Sequence, residues 1–142
     1  MPYRFIDHTG DTAVEVTASD KSEFFQDAAR ALAAIIIDVD RAPPDGGAEQ
    51  RLDLDAEDGE ALLVDFLNEL IFLFDSRRFL PWTLAVEELA VEAPARLRAT
   101  VRGDTFDPDR HVFLTEVKAA TFHDVEIRQT KDGWETTIVF DL

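Results

Sequence analysis

Residues 58–74 read DGEALLVDFLNELIFLF. Leu62, Leu63, Phe66, Leu67, Leu70, Ile71 and Phe74 recur at spacings of three and four, which winds them onto one face of a helix. Asp58 stands ahead of the run, where a short acceptor side chain can take an orphan N–H of the first turn. The pattern predicts an amphipathic helix opening at Asp58. A stripe this wide is expected to be the central packing element of the fold rather than a surface for a partner.

Upstream, Asp20 and Glu23 stand three residues apart in the manner of a capping box. Beyond them Phe25, Ala28, Ala29, Leu32 and Ile36 keep helical spacing, so a second helix is expected from about Ser22 to Ile37. Before it, TAVEVT at 12–17 alternates Val14 and Val16 against Glu15 and Thr17, a strand signature. Residues 40–50 carry two Pro and two Gly and read as a loop, and RLDLD at 51–55 reads as a short strand.

Downstream of Pro81 the sequence turns to β structure. Strands are expected at 83–92, 96–102, 112–122, 124–130 and 134–140, with Lys131-Asp132-Gly133 as a hairpin turn. In RLRATVR, Leu97, Ala99 and Val101 alternate with Arg96, Arg98, Thr100 and Arg102. The arginines read as a solvated strand face that neutralises acidic neighbours, ahead of a phosphate site. Neither repeats nor linkers interrupt the pattern, so residues 1–142 are expected to form one domain. The fold class expected is α+β: a two-layer sandwich, with two main helices packed on a mostly antiparallel sheet.

The composition excludes several functions. With no Cys in 142 residues, disulfides and thiolate metal sites are out of reach. A net charge of -16 repels phosphate backbones, so direct nucleic-acid binding is not expected, whereas cations or a basic protein are suitable partners. Residues 1–11 hold no apolar h-region. The longest apolar run, Ala31 to Ile37, is far below the roughly 20 residues of a membrane span. A cytoplasmic location without membrane attachment is the expectation. GxGxxG, GxxxxGK[ST] and GxSxG are all missing, and Ser19, Ser22 and Ser76 sit in turn or cap contexts.

Two places carry candidate chemistry. Asp7-His8-Thr9-Gly10-Asp11 gathers two carboxylates, an imidazole and a hydroxyl ahead of a strand, with Gly10 free to turn the backbone sharply. At the other end, WETTIVFDL alternates so that Phe140 shares a face with Ile138 and Trp134, and Asp141 points to the opposite face. Two aspartates and the terminal carboxylate could ligate a hard divalent cation if the ends meet, although carboxylates near chain ends are commonly just solvated. His8, His111 and His123 lack the close spacing of a ligand pair, and each alone reads as a hydrogen-bonded structural residue. Lys118, in EVKAATFH at 116–123, reads either as a lysine snorkelling beside Glu116 or as one aimed at an acidic or phosphate-bearing partner.

In order along nearly the whole chain, these motifs resemble the archease family. Phe5-Ile6-Asp7-His8-Thr9-Gly10-Asp11 is similar to its F-x-DHT-A-D opening, and Glu23-Phe24-Phe25 with Ala28-Ala29 to its E-L-F and A-A pattern. LLVDFLNEL at 62–70 resembles its LL-x-x-WLNEL helix. GDTFD at 103–107, VKAATFH at 117–123 and the closing VFDL at 139–142 follow in the family's order. Gly10 replaces the usual Ala, and Phe66 stands where Trp is common.

The resemblance implies an activator of the GTP-dependent RtcB-type RNA ligase of tRNA splicing and RNA repair. Such a protein promotes guanylylation and multiple turnover of the ligase and is not itself an enzyme. It further implies metal ligands at Asp11, Asp141 and Leu142, with Asp7, His8, Lys118 and His123 shaping a partner-facing tip. Oxygen-only ligation favours Ca²⁺ first, with Mg²⁺ or Mn²⁺ as alternatives. A metal-dependent phosphohydrolase, or a non-catalytic chaperone or binding module for RNA-modifying enzymes, are the competing readings.

Overall fold

The computed structural model describes residues 2–8, 11–123 and 125–142, with Asp7 and His8 described by their backbone alone. The first helix, α1 (Lys21–Ile36), begins where Asp20 accepts the Glu23 N–H at 2.8 Å, while Ser19 donates to the Glu23 carboxylate at 2.6 Å. The second, α2 (Gly59–Arg77), begins where Asp58 accepts the Ala61 N–H at 2.9 Å. It stops at Arg78, whose left-handed backbone (φ 58°) lets its N–H close on the Phe74 carbonyl at 2.8 Å.

Eight strands accompany the helices: β1 (Tyr3–His8), β2 (Asp11–Ala18), β3 (Ala48–Ala56), β4 (Phe79–Ala90), β5 (Ala95–Thr105), β6 (Ala119–Thr121), β7 (Arg128–Thr130) and β8 (Gly133–Asp141). They divide into two antiparallel sheets. One runs β1-β2-β8-β6, with β7 also pairing on β8, and the other runs β3-β5-β4. The α+β class with two main helices on antiparallel sheet therefore holds, with the strands divided between two sheets where a single one was expected.

Both sheets need cover on one face, and the two helices supply it to both. Helix α1 packs on β4 of one sheet and β2 of the other, while α2 packs on β3 and β4 of one and β6 of the other. That double duty explains why the apolar stripe of α2 is so wide. Every member named from the sequence, Leu62 through Phe74, is buried. Phe25 of α1 meets Phe66 of α2 at 5.5 Å between ring centroids, and Val14, Val16, Ile138 and Phe140 come up from the longer sheet.

Three expectations need correction. Residues 112–122 do not form a continuous strand: only β6 and a bridge between Phe113 and Ile37 are β structure. The polar backbone of this segment is used by the end of α1 instead. Leu114 donates its N–H to the Ile36 carbonyl at 2.7 Å, and Val112 accepts from Asp38 at 2.9 Å, which satisfies groups a helix end leaves open. Likewise only β7 forms within 124–130, and Asp124 lies outside the described residues. Strand β4 starts before Pro81 rather than after it. Being at a sheet edge, it tolerates the missing N–H, with a register shift between Pro81 and Thr83. The hairpin turn is as read, with Gly133 at φ 141° pressed so close to the Ala18 carbonyl that a Cβ would collide.

Candidate metal centre at the paired chain ends

Strands β2 and β8 lie side by side because both alternate apolar residues toward the helices. The register that buries Val14 and Val16 beside Ile138 and Thr136 also sets Thr12 opposite Phe140 and Asp11 opposite Asp141. Directly opposed residues of an antiparallel pair share a face, with Cβ atoms roughly 4.5–5.5 Å apart. Phe140 points into the core, so Asp11 and Asp141 project from the outer face, the first half-buried and the second exposed.

The same row continues across the sheet. On one side His8 is the β1 partner of Asp11, and on the other Ala119 of β6 is the partner of Asp141. Lys118, just ahead of β6, donates its backbone N–H to the Asp141 carbonyl at 2.8 Å. Leu142 packs its side chain against the core, which holds its main chain beside Asp141. Asp7 is the register partner of Thr12, one step along from the row. The exposed His123 sits in the turn after β6, its N–H on the Thr121 hydroxyl at 3.3 Å. The ends thus bring Asp11, Asp141, Lys118 and Leu142 together with the His8 backbone, while Thr9 and Gly10 lie outside the described residues.

One residue of α2 holds this arrangement in place. Asn68 accepts the Ala120 N–H at 2.8 Å and donates to the Ala120 carbonyl at 3.1 Å, so its amide acts as a neighbouring strand for β6. The sequence placed Asn68 within the helix but offered no periodic signal for this clasp.

The donors suit a hard cation. They are oxygens only, two carboxylates face each other on one surface, and the Leu142 main chain adjoins them. Among the described residues no group of three or more His, Asp or Glu is disposed to enclose a metal, so these ligands are fewer than a full sphere. Oxygens from water or from a partner's phosphate would have to complete it.

A second polar cluster, unforeseen in the sequence, lies at the end of β5. Asp104 is buried, with its Oδ2 at 2.6 Å from Arg110 and 3.1 Å from His111 Nε2, and its Oδ1 accepts the Thr105 N–H at 2.8 Å. Burial alone would push this carboxyl up, but Arg110, the Thr105 N–H and His111 outweigh it and hold the group below its ordinary value. His111 Nδ1 accepts the Asp107 N–H at 2.9 Å, which leaves Nε2 to carry the proton toward Asp104. Phe106 stacks on the same ring at 5.8 Å. Buried, with Nδ1 hydrogen-bonded and Nε2 lying 3.1 Å from Asp104 Oδ2, His111 is the structural residue expected of it. The only signal in the sequence was the GD pair at 103–104, where Gly103 presses on the Leu80 carbonyl.

The fold and its outward carboxylate pair define a small α+β protein in which the start of β2 and the end of β8 form one surface. Residues 3–142 match the sequence profile of the Archease protein family (MTH1598/TM1083). The chain belongs to the archease family. It is 36% identical over 144 residues to protein archease of Methanopyrus kandleri, covering all of both chains. It is 33% identical over 141 residues to protein archease of Methanosarcina acetivorans, covering 99% of this chain and 95% of that one. Its structure is similar to the solution structure of protein 1598 of Methanobacterium thermoautotrophicum, with a TM-score of 0.79, 28% identity and 99% of each chain covered. The crystal structure of an archease described as a possible chaperone, from Thermotoga maritima, shares the fold at a TM-score of 0.67 and 22% identity, covering 96% and 94%.

Proposed function

We propose that this archease is a protein activator of an RtcB-type, GTP-dependent RNA ligase, acting through a divalent-metal site at its paired ends. The observation that carries the reading is the β2–β8 register, which opposes Asp11 to Asp141 on an outward face. Like charges directly opposite one another in a sheet are destabilising. A cation between them turns that cost into an attraction, and Ca²⁺ accepts the irregular oxygen sphere that two carboxylates and the Leu142 main chain provide. When bound, the ion supplies positive charge for phosphate oxygens or for a leaving pyrophosphate.

The rest of the work belongs to the chain's own residues. Asp11 and Asp141 fix the position of the charge, and Asn68 keeps β6 in line so that Lys118 stays beside Asp141. Lys118 is exposed and can meet phosphate at the rim. With a net charge of -16 the protein is drawn toward a cleft built for metal and triphosphate, where orientation and electrostatics favour guanylylation of the ligase histidine. On this reading it works in the cytoplasm, touches the ligase rather than RNA, and turns over no substrate alone. No described helix is long and apolar enough to cross a membrane.

The test is ligase guanylylation and RNA joining under multiple turnover, with and without this protein, and with Asp141→Ala. Stimulation by the native chain that vanishes in the variant is the expected result. A cognate, active ligase left unstimulated overturns the reading. Phosphoester hydrolysis in the absence of ligase would put the phosphohydrolase alternative in its place.

A further inference from the structure

A strand at the edge of a sheet has open N–H and C=O groups that invite another strand, unless the edge is blunted by charge, proline, a bulge or shortness. Most edges of this protein are blunted. Strand β3 presents the exposed charges Glu49, Arg51, Asp53 and Asp55, and β4 carries Pro81 and two register shifts. Strands β6 and β7 are only 3 residues each. Strand β1 differs. Its register on β2 runs unbroken from Tyr3 to His8, and no other described strand pairs with it. Phe5 and Ile6 are 47% and 37% exposed, and Arg4 is already held by Glu15 at 3.0 Å.

The register fixes which backbone groups of β1 are open. Thr17 donates its N–H to the Pro2 carbonyl at 2.8 Å, which marks a hydrogen-bonded pair. Such pairs alternate along an antiparallel ladder, so Arg4, Ile6 and His8 spend their backbone groups on β2. Tyr3, Phe5 and Asp7 turn theirs to the open edge. Phe5 also lies opposite Val14, on the side of the sheet that faces the helices, yet the helical cover stops short of it.

We propose that β1 is a self-association edge, at which two copies of this chain pair antiparallel about a two-fold axis at Phe5. The selection of a second copy comes from the pairing rules. An antiparallel seam must join open groups to open groups and set residues of the same face opposite one another. Centred on Phe5, the seam sets Phe5 opposite Phe5 and Tyr3 opposite Asp7, so every open group of these three residues gains a partner. It also sets Arg4 opposite Ile6, and no like charges meet. Centred on Arg4, it would leave Asp7 open and oppose two arginines; centred on Ile6, it would leave Tyr3 open. The exposed Phe5 rings cover each other across the axis. Asp11 and Asp141, one and two strands in from the seam, stay clear of it, so the inference stands apart from the activator reading.

Sedimentation of the full chain from about 1 μM to about 1 mM should show a monomer–dimer equilibrium. With a net charge of -16 the copies repel, so added salt should tighten the dimer, the reverse of what a basic partner would do. Phe5→Pro removes an outward N–H without costing the fold a hydrogen bond, and should weaken the dimer by about 30-fold. Phe5→Lys, which opposes two like charges at the axis, should weaken it as well and serves if the proline variant melts early. Phe72→Lys, on the exposed side of α2, should change nothing. The register has its own readout, because the chain holds no cysteine. Facing Cα atoms of a hydrogen-bonded pair lie about 5.5 Å apart, within disulfide reach, so Phe5→Cys should crosslink on mild oxidation. Arg4→Cys, a diagonal step of roughly 7–8 Å from its counterpart, should crosslink far less. Equal crosslinking by the two overturns the register. A dimer left at native strength by both Phe5→Pro and Phe5→Lys overturns the edge. So does a native chain that stays monomeric throughout, and protection of the Phe5 amide from exchange only when an RtcB-type ligase is added would then give the edge to a partner's strand.

Discussion

The outer faces of the two sheets are both highly charged and both carry cross-strand ion pairs, Arg4 with Glu15 and Arg128 with Glu135 on the longer sheet, yet they differ at one row. On the β3-β5-β4 sheet every arginine of the central strand faces at least one acid. Arg96 reaches Asp55 at 2.8 Å, Arg98 reaches Asp53 at 3.5 Å and Glu88 at 3.9 Å, and Arg102 reaches Glu49 at 3.3 Å. Arg51 and Glu87 pair across the same surface. On the β1-β2-β8-β6 sheet the corresponding central row sets Asp11 against Asp141. Balanced charge is what a solvated face requires, and each exposed pair adds little. A carboxylate opposite a carboxylate is not required by the fold and works against it. The contrast teaches which charged surface to read as scaffold and which as site.

The sharpest way to break this contrast is to remove a carboxylate from the opposed pair. On the proposed activator reading, Asp11→Ala or Asp141→Ala should lower ligase stimulation by roughly 100-fold or more, since losing a proposed direct ligand costs at least as much as losing one that supports it. The same measurement on Arg98→Ala, in the balanced face, should show native stimulation.

A second comparison uses the buried acid that is balanced. Asp104→Asn removes the charge facing Arg110 and His111 and should cost about 2 kcal/mol at pH 7, less than a fully buried pair because Arg110 is half exposed. Its folded-state carboxyl is held below the ordinary value, so its contribution is present above the unfolded value of about 3.9 and is lost as pH falls through the folded one. Urea unfolding from pH 3 to pH 7 should therefore show a shallower acid limb in the variant.

Asp27 of α1 is the unbalanced counterpart. Burial first, with Glu23 and Asp20 adding to it against the opposing Arg30, raises its carboxyl to about 6 from 3.8. The native state then binds more protons than the unfolded one between those values, so stability declines as pH rises through that window and the penalty is complete above it. With allowance for solvent screening, Asp27→Asn should stabilise the protein by about 1 kcal/mol at pH 8 and change nothing near pH 3. Thermal unfolding across pH checks both the size and the sign.

Two smaller effects sharpen the comparison further. In chelator, Asp141→Asn should raise stability by about 0.5 kcal/mol at low salt through relief of like charge. On the proposed metal-site reading the order should reverse in millimolar Ca²⁺, because only the native pair would gain from the ion. Arg98→Ala should cost about 0.5 kcal/mol, fading with added salt. A larger or salt-independent loss would mean that the balanced face is more than solvated scaffold.

Much of this was legible in the residues. The helices declared themselves because caps and apolar spacing are local: Asp20 and Asp58 each cap a nearby N–H, and the stripe of α2 follows from the helical period alone. The strand carrying Arg96, Arg98 and Arg102 was equally plain, since alternation fixes its faces. Residues 112–117 misled because VFLTEV is rich in residues that favour strands, while its hydrogen-bond partners are the carbonyl and N–H groups at the end of α1. Strand β1 was not foreseen, because its polar residues drew attention to chemistry rather than to pairing. Asp104, Arg110 and His111 carried no joint signal, because a cluster closed by a turn has no period to betray it.

The sequence by itself determined the α+β class, both helices, the alternation that turns Asp141 away from Phe140, and the order of motifs that marks the family. Only the tertiary structure decided that the strands divide into two sheets, that Asn68 clasps Ala120, and that Asp11 stands opposite Asp141. The reason is the range of the forces involved. Caps and periodicity act within a turn or a strand and are written locally. Register between the first and last long strands of a sheet is chosen by how their buried faces pack on helices that lie far away in the chain, and a single slip would have turned the two carboxylates to opposite faces.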